Sequence, residues 1–174
     1  MTVRANKPAF SIREKLKELD YGHIPYEKMP AGSVIQYKTV DSSTNVSTSS
    51  NSYANLTNVV LNFSPKLSNS KLLITYSGAI RSTATGNTRA RIAFRLVRSG
   101  TALTGYNFNE IIQWKEANFN TVNVEAVVPI FMELNDTPNT TETLTYTWQW
   151  QSISSTFFDT AFVTYRQTIY EIKQ

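Results

Sequence analysis

Apolar and polar residues alternate along most of the chain after residue 33, and this period of two is typical of β-strands. In residues 72–80, for example, Leu72, Ile74, Tyr76 and Ile80 fall on one face and polar residues fall on the other. Similar runs predict further strands at residues 33–40, 55–63, 89–98, 122–134, 144–151 and 162–172. About seven strands separated by polar turns favour an all-β fold, namely an antiparallel β-sandwich that is jelly-roll-like.

Turn residues between these runs predict which strands form hairpins. Residues 84–88 (ATGNT) separate two runs, and residues 135–139 (NDTPN) separate two others. We therefore expect residues 72–98 to form one hairpin and residues 122–151 to form another. Pro129 interrupts the second hairpin on its polar face, which indicates an edge strand or a bulge.

The segment from residue 100 to residue 119 has aromatic residues without a clean period, so it is either a long loop or a broken strand. Loops on a sandwich often carry the binding surface. Tyr106 and Trp114 are therefore the candidates for stacking on a sugar ring. Trp148 and Trp150 alternate with polar residues, and core or subunit-interface positions explain them more simply.

The N-terminal residues have helical spacing instead. Ser11 and Glu14 fit a capping box that starts a helix, and Gly22 is suited to end it. Its narrow apolar stripe consists of Ile12, Leu16 and Leu19. A helix this short is marginal in water alone, so the stripe must pack either within its own protomer or against another subunit or a larger particle.

A basic arm precedes this helix, and residues that disfavour helical structure follow it. Arg4 and Lys7 lie in the arm, which is either disordered or docked on an acidic partner. Pro30 and Gly32 make it unfavourable for a helix to continue into the strands. The sequence thus predicts two parts: residues 1–28, an arm and helix that bind a partner, and residues 29–174, a β-sandwich domain.

Composition excludes several kinds of chemistry. The chain has no cysteine and one histidine, His23, among 174 residues, which excludes disulfides, thiolate metal sites, a cysteine nucleophile and a site of several histidines. We expect no cofactor and no metal. No apolar run approaches the roughly 20 residues that span a bilayer, and no export signal is visible, so membrane insertion is not expected.

Carboxylates are the remaining candidates for catalysis, and a glycosidase would need two of them. The available residues are Glu125, Glu133, Asp136, Glu142 and Asp159. Glu125 and Glu133 share the polar face of one predicted strand, where a solvated face is the simpler interpretation. Asp136 and Glu142 flank one turn, but their spacing is not that of a calcium loop. We therefore expect a protein that is not an enzyme.

Five arginines are concentrated on the first predicted hairpin: Arg81, Arg89, Arg91, Arg95 and Arg98. An ordinary solvated face or a surface for an acidic partner explains them, and the net charge of +4 permits the second. Nucleic acid binding would need exposed aromatic residues between them. It is the weakest of the three interpretations, because the intervening Ile92, Phe94 and Leu96 are suited to the core.

Three short segments carry a resemblance to a known group of proteins. They are residues 30–36 (PAGSVIQ), residues 67–74 (LSNSKLLI) and residues 168–172 (TIYEI). In this order they resemble segments of small, Ser/Thr-rich β-proteins of tailed-phage virions, particularly tail-fibre-like proteins of marine and cyanobacterial phages. There, a PAGSVIQ segment opens the β domain, a similar SSKILI segment enters a strand, and a similar strand closes the domain.

The resemblance implies a structural virion protein, commonly trimeric, that is assembled in the host cytoplasm, attaches by its N-terminal part and presents its β domain outward. Its partners would be other virion proteins, copies of itself and, as an alternative role, a host surface glycan. The region before residue 30 is shorter than the attachment part of long fibres. A head decoration, a knob or a baseplate component therefore stands beside the tail-fibre interpretation.

Overall fold

The computed structural model describes residues 24–85, 89–115, 123–153, 157–160 and 164–174. These residues form two antiparallel sheets and two short 3₁₀ helices, at Tyr26–Lys28 and Thr57–Val59. The strands are β1 (Val34–Ser42), β2 (Ser47–Thr48), β3 (Ala54–Asn55), β4 (Leu61–Phe63), β5 (Lys71–Thr85), β6 (Arg89–Arg98), β7 (Thr101–Lys115), β8 (Asn123–Asp136), β9 (Leu144–Ser152), β10 (Phe157–Thr160) and β11 (Tyr165–Ile172). The prediction of an all-β sandwich is confirmed. The predicted arm and helix lie outside the described residues.

The first sheet, sheet A, is built around the long strand β5. Strand β8 pairs along one side of β5, while β11 and β10 pair with successive parts of its other side. Beyond them, β1 pairs with β11 and β2 pairs with β10. In the described part of the chain β8 is thus an edge strand, and Pro129 lies on it opposite Ala79. The predicted edge position for this proline is confirmed, and its missing N–H can face away from the ladder there.

The second sheet, sheet B, is built around β9. Strand β6 pairs along one side of β9 and continues to β7, while β3 and β4 pair with its other side. The strand predicted at residues 55–63 is therefore divided between β3 and β4, because the 3₁₀ helix Thr57–Val59 interrupts it.

The core lies between the sheets and consists of the apolar residues that the alternation selected. From sheet A it takes the residues of β5, β8 and β11 that face sheet B, and from sheet B the inward residues of β6 and β9. Its largest fully buried side chains include Trp148, Trp150, Tyr76, Tyr146 and Tyr165. The two tryptophans are thus core residues, as one of the two interpretations of the sequence had it.

Both predicted hairpins are wrong. Strands β5 and β6 are consecutive but belong to sheets A and B, and the same is true of β8 and β9. Each of these connections crosses from one sheet to the other. The alternation predicts the strands, but a polar turn can reverse the chain within a sheet or lead it to the opposite sheet.

The hairpin that does form joins β6 to β7. Arg98 pairs with Thr101 across it, and the two turn residues, Ser99 and Gly100, have φ angles of 46° and 87°. Two successive residues with positive φ match the right-handed twist of paired strands. The segment after residue 100 is therefore a strand with register shifts and not a long loop, which confirms the second of the two predicted alternatives.

The chain enters sheet A through a tight turn at residues 30–33. Gly32 has a φ of 86°, and the N–H of Ser33 donates to the carbonyl oxygen of Pro30 at 3.2 Å. These are features of a turn that requires a positive φ at its third residue, which glycine supplies at no steric cost. Pro30 and Gly32 are predicted to separate the helical region from the strands, and this is confirmed: they form a turn that leads into β1.

Candidate functional site

The three segments that carry the virion-protein resemblance meet at one corner of sheet A. Residues 30–36 lead into β1, residues 67–74 lead into β5, and residues 168–172 end β11. The register places Val34 opposite Ile172, and Ile172 opposite Lys71. Segments far apart in the sequence are therefore neighbouring strands at a common end.

A single buried carboxylate joins these segments. Glu171 has no exposed surface. Its two oxygens accept hydrogen bonds from the backbone N–H of Lys66 at 2.9 Å, from that of Leu67 at 2.9 Å, and from the Gln36 side-chain amide at 2.5 Å. A buried charge is tolerated when hydrogen bonds of this kind satisfy it. All of these donors belong to the protein itself, so Glu171 has the role of a structural joint.

Lys173 holds the entering chain at the same corner. Its backbone N–H donates to the carbonyl oxygen of Ser33 at 2.9 Å, and its carbonyl oxygen accepts from the N–H of Gly32 at 2.8 Å. Its ammonium group donates to the carbonyl oxygens of Glu27 and Met29, the latter at 2.6 Å. Residues 27–33 are therefore part of the structure of the β domain.

A second polar cluster ties the two sheets together. Asp136, at the end of β8 in sheet A, accepts two hydrogen bonds from Arg98 of β6, at 2.8 and 2.9 Å. It also accepts one from the hydroxyl of Tyr146 of β9, at 2.7 Å. Burial first, and the bonded Asp136 carboxylate second, raise the pKa of Tyr146 above its ordinary value.

This geometry does not support a calcium site at Asp136 and Glu142, because Asp136 forms an ion pair with Arg98 and Glu142 is exposed. Among the described residues, no group of three His, Asp or Glu side chains lies close enough to hold a metal ion. Glu133 is exposed on β8, as the solvated-face interpretation predicted. The side chains of Glu125 and Asp159 lie outside the described part, as does His23.

The five arginines do not share one surface. Arg81 lies on β5 in sheet A, whereas the other four lie on β6 in sheet B. Arg98 forms an ion pair with Asp136. The predicted concentration of these arginines on one hairpin is therefore not found, since β5 and β6 lie in different sheets.

Arg95 takes part in a polar row on the outer face of sheet B. Its Nε donates to the side-chain oxygen of Gln149 at 2.7 Å, and the Gln149 amide donates to Asn55 at 2.7 Å. Its guanidinium lies 4.0 Å from the centre of the Tyr53 ring, a cation–π distance. Sequence reasoning missed this row, because β3, β6 and β9 become neighbours only through long-range pairing.

Tyr106 and Trp114 both lie on β7, which forms an edge of sheet B within the described residues. Trp114 pairs with Ala90, and Asn107, next to Tyr106, pairs with Arg95. Their side chains lie outside the described part. The strand thus places both backbone positions next to β6, the strand that carries the polar row, but the loop on which the sugar-binding prediction depended is absent.

The outer face of sheet A carries an apolar patch beside the Glu171 corner. It comprises the outward residues of β1, β11 and β5 at that end, which we call the corner patch: Val34, Tyr37, Tyr170, Ile172 and Leu73. Tyr37 is 69% exposed and Val34 is 50% exposed. The rings of Tyr37 and Tyr170 stack with centres 6.1 Å apart. Tyr170, Ile172 and Leu73 are half-buried. Exposed apolar surface shared by neighbouring strands is a feature of interaction sites.

None of the described helices has the length and apolar character needed to cross a bilayer. No family model matches the chain, and no curated protein matches it.

Remote likenesses to solved structures were found. The chain is similar to the insecticidal delta-endotoxin Cry8Ea1 of Bacillus thuringiensis, with 13% identity and a TM-score of 0.38 over 75% of this chain and 19% of that one. It is similar to dimeric latent PorU of Porphyromonas gingivalis, with 8% identity and a TM-score of 0.40 over 83% and 14%. It is also similar to the protein of infectious bursal virus derived T=1 particles, with 10% identity and a TM-score of 0.39 over 82% of this chain and 37% of that one. The chain thus spans less than two fifths of each, and these likenesses carry no inference about its partners.

Proposed function

We propose that this protein is a non-enzymatic structural component of a tailed-phage particle, attached by its N-terminal region and presenting its β domain. A tail-fibre-like appendage is the leading assignment, and a head decoration or a baseplate component is the alternative. In this proposal it assembles in the host cytoplasm with other virion proteins and with copies of itself, as a trimer.

The observation that supports this proposal is the convergence at Glu171. The resemblance to phage virion proteins depends on three short segments, each of which alone has little specificity. In this chain all three contribute to the single corner that Glu171 and Lys173 hold together. A resemblance in residues that form one physical unit is stronger support than three unconnected similarities.

The strand order is consistent with the same proposal. Sheet A contains the order β1, β11, β5, β8, and sheet B contains the order β4, β9, β6, β7. We infer from these two orders that the sandwich is a jelly roll, an architecture found in viral capsid and lectin domains. Fold alone does not define function, so the particle assignment depends on the resemblance.

The attachment region in this proposal is residues 1–28. Arg4 and Lys7 supply positive charge for an acidic surface, and Ile12, Leu16 and Leu19 supply an apolar stripe. Deleting residues 1–21 is expected to leave a folded, soluble β domain that no longer joins the particle. The measurement is incorporation of the truncated protein into particles, with circular dichroism as the test of folding. A second variant replaces only Arg4 and Lys7 by alanine, and it is expected to keep the fold and to lose incorporation. Normal incorporation of the truncated, folded protein would refute the attachment role.

Host-glycan recognition is a second candidate, favoured by the polar row of Tyr53, Asn55, Arg95 and Gln149. Planar amides, a guanidinium and an aromatic ring are groups that can bind sugars, and Tyr106 and Trp114 lie on the strand next to β6. Binding to a glycan array that is lost in Arg95→Ala and in Gln149→Ala, but kept in Arg166→Ala on sheet A, would support a site at the polar row. An array on which no signal depends on Arg95, Tyr106 or Trp114 would exclude it.

A further inference from the structure

The corner patch is an apolar surface without a described partner, and it lies where the chain enters the β domain. Tyr37 and Val34 are exposed at 69% and 50%, and Tyr170, Leu73 and Ile172 extend the same surface over β11 and β5. Lys173, which holds residues 27–33, directly follows Ile172 of the patch. The N-terminal residues therefore join the domain beside this surface.

The sequence just before the described residues carries an apolar stripe that needs a surface to pack on. We propose that residues 11–20 of the same chain cover the corner patch, with Ile12, Leu16 and Leu19 facing Tyr37 and Val34. This inference rests on the proposed attachment role of residues 1–28 and specifies it. The stripe binds the domain itself, and the contact with the particle is left to Arg4 and Lys7 in the arm.

The dimensions of the two surfaces agree. A helix over residues 11–20 is about 15 Å long. The three strands of the patch span about 10 Å from the first to the third. Residues 20–23 connect Leu19 to Ile24, the first described residue, and the five Cα–Cα steps between them reach at most about 18 Å. The apolar stripe from Ile12 to Leu19 is about 10 Å long, which matches the width of the patch, and the connection allows it to reach a surface beside the point of entry.

Packing within one chain is favoured over packing between copies by the short connection. A short tether gives an effective concentration of about 1 mM. Since two to three helical turns bury too little area for tight association between free molecules, only the tethered copy is present at a concentration that supports the contact. A second copy on the patch is the competing outcome.

The absence of cysteine allows a direct cross-linking test. Leu16→Cys and Tyr37→Cys are introduced together, and mild oxidation is followed by mass measurement and a non-reducing gel. The expected product is an intramolecular disulfide that forms at least ten times faster than in the matched control, Leu16→Cys with Phe131→Cys. Phe131 is 66% exposed on β8 in the same sheet, so the control differs in position and not in accessibility.

A second measurement needs no bond between the segments. In a single Tyr37→Cys variant, maleimide labelling is expected to become several-fold faster when Ile12, Leu16 and Leu19 are all replaced by aspartate, and to match the rate after deletion of residues 1–21. Unchanged labelling, equal disulfide rates for Tyr37→Cys and Phe131→Cys, or disulfides mainly between molecules would overturn the proposal. Both tests use the free protein, so their outcome is independent of whether the protein joins a particle.

Discussion

Glu171 is a charged residue at an interior position where its neighbours in the strand are apolar or aromatic. Its carboxylate accepts hydrogen bonds from the backbone N–H groups of Lys66 and Leu67 and from the side-chain amide of Gln36. In Glu171→Gln an NH₂ group replaces one carboxylate oxygen. This group cannot accept a hydrogen bond, so at least one of these donors loses its acceptor. We expect the free energy of unfolding to fall by about 2 kcal/mol, as for a buried group left unsatisfied.

Urea denaturation measures this loss. The matched control is Glu133→Gln, the same replacement at an exposed position on β8, which should change the midpoint little. Equal midpoints for the two variants would mean that the Glu171 joint does not hold the corner.

Two buried tyrosines make stability depend on alkaline pH. Burial raises the pKa of Tyr76 and of Tyr146 above the usual value of about 10. Because the folded pKa lies above the unfolded one, the stabilisation is fully present below about pH 10 and is lost as the pH rises beyond it. Urea midpoints should therefore stay level up to about pH 10 and fall progressively as the pH rises beyond it. Tyr146→Phe should reduce that fall, and a fall of the same size in this variant would contradict the expectation.

At the scale of elements, the Asp136 cluster links β8 of one sheet to β6 and β9 of the other. Asp136→Ala leaves the Arg98 guanidinium without its carboxylate and Tyr146 without an acceptor. The Asp136 side chain is buried and that of Arg98 is 31% exposed. Since the substitution also leaves the buried Tyr146 hydroxyl unsatisfied, we expect a loss of about 2 kcal/mol in unfolding free energy.

Asp41→Ala is the matched control, because the Asp41–Arg166 pair also joins two strands but its side chains are 46% and 58% exposed. Exposed pairs contribute little, so its denaturation midpoint should stay close to that of the wild type. A comparable loss in both variants would refute the role of Asp136 as an inter-sheet tie.

The strands could be predicted from the sequence because burial on one face selects every second residue. Leu72, Ile74 and Tyr76 are buried for this reason, and so are Ile130 and Met132. Pairing could not be predicted in this way, since alternation specifies the face of a residue and not the neighbouring strand. The polar turn after β5 therefore predicts a hairpin, although β5 and β6 lie in opposite sheets.

The contacts of the candidate site could not be predicted from the sequence for the same reason, because they join residues that are far apart along the chain. Glu171 is one charged residue in TIYEI, and its donors lie more than 100 residues away, at Lys66 and Leu67. The polar row around Arg95 likewise draws on β3, β6 and β9. By contrast, the turn at Gly32 could be predicted, because the conformational preferences of proline and glycine act within a few residues.

At the scale of the molecule, the contacts of Lys173 extend the β domain to residue 27, whereas the sequence predicts that it begins at residue 29. A chain of residues 24–174 keeps the acceptors of the Lys173 ammonium group, and a chain of residues 30–174 loses those at Glu27 and Met29. We expect the shorter chain to be less stable by about 1 kcal/mol, measured by thermal unfolding. Equal melting temperatures would restore the boundary predicted from the sequence.

Strand β11 lies between β1 and β5 in sheet A, with Tyr170 opposite both Tyr37 and Leu73. It is also translated after every other strand of the two sheets. A nascent chain that ends before residue 165 therefore has a gap between its first strand and β5, and it exposes unpaired backbone on both sides of that gap. Sheet A can close only after nearly all of these residues have left the ribosome, and a domain whose contacts are this distant in sequence folds slowly. The interval before closure is when the chain is most exposed to aggregation and proteolysis during synthesis.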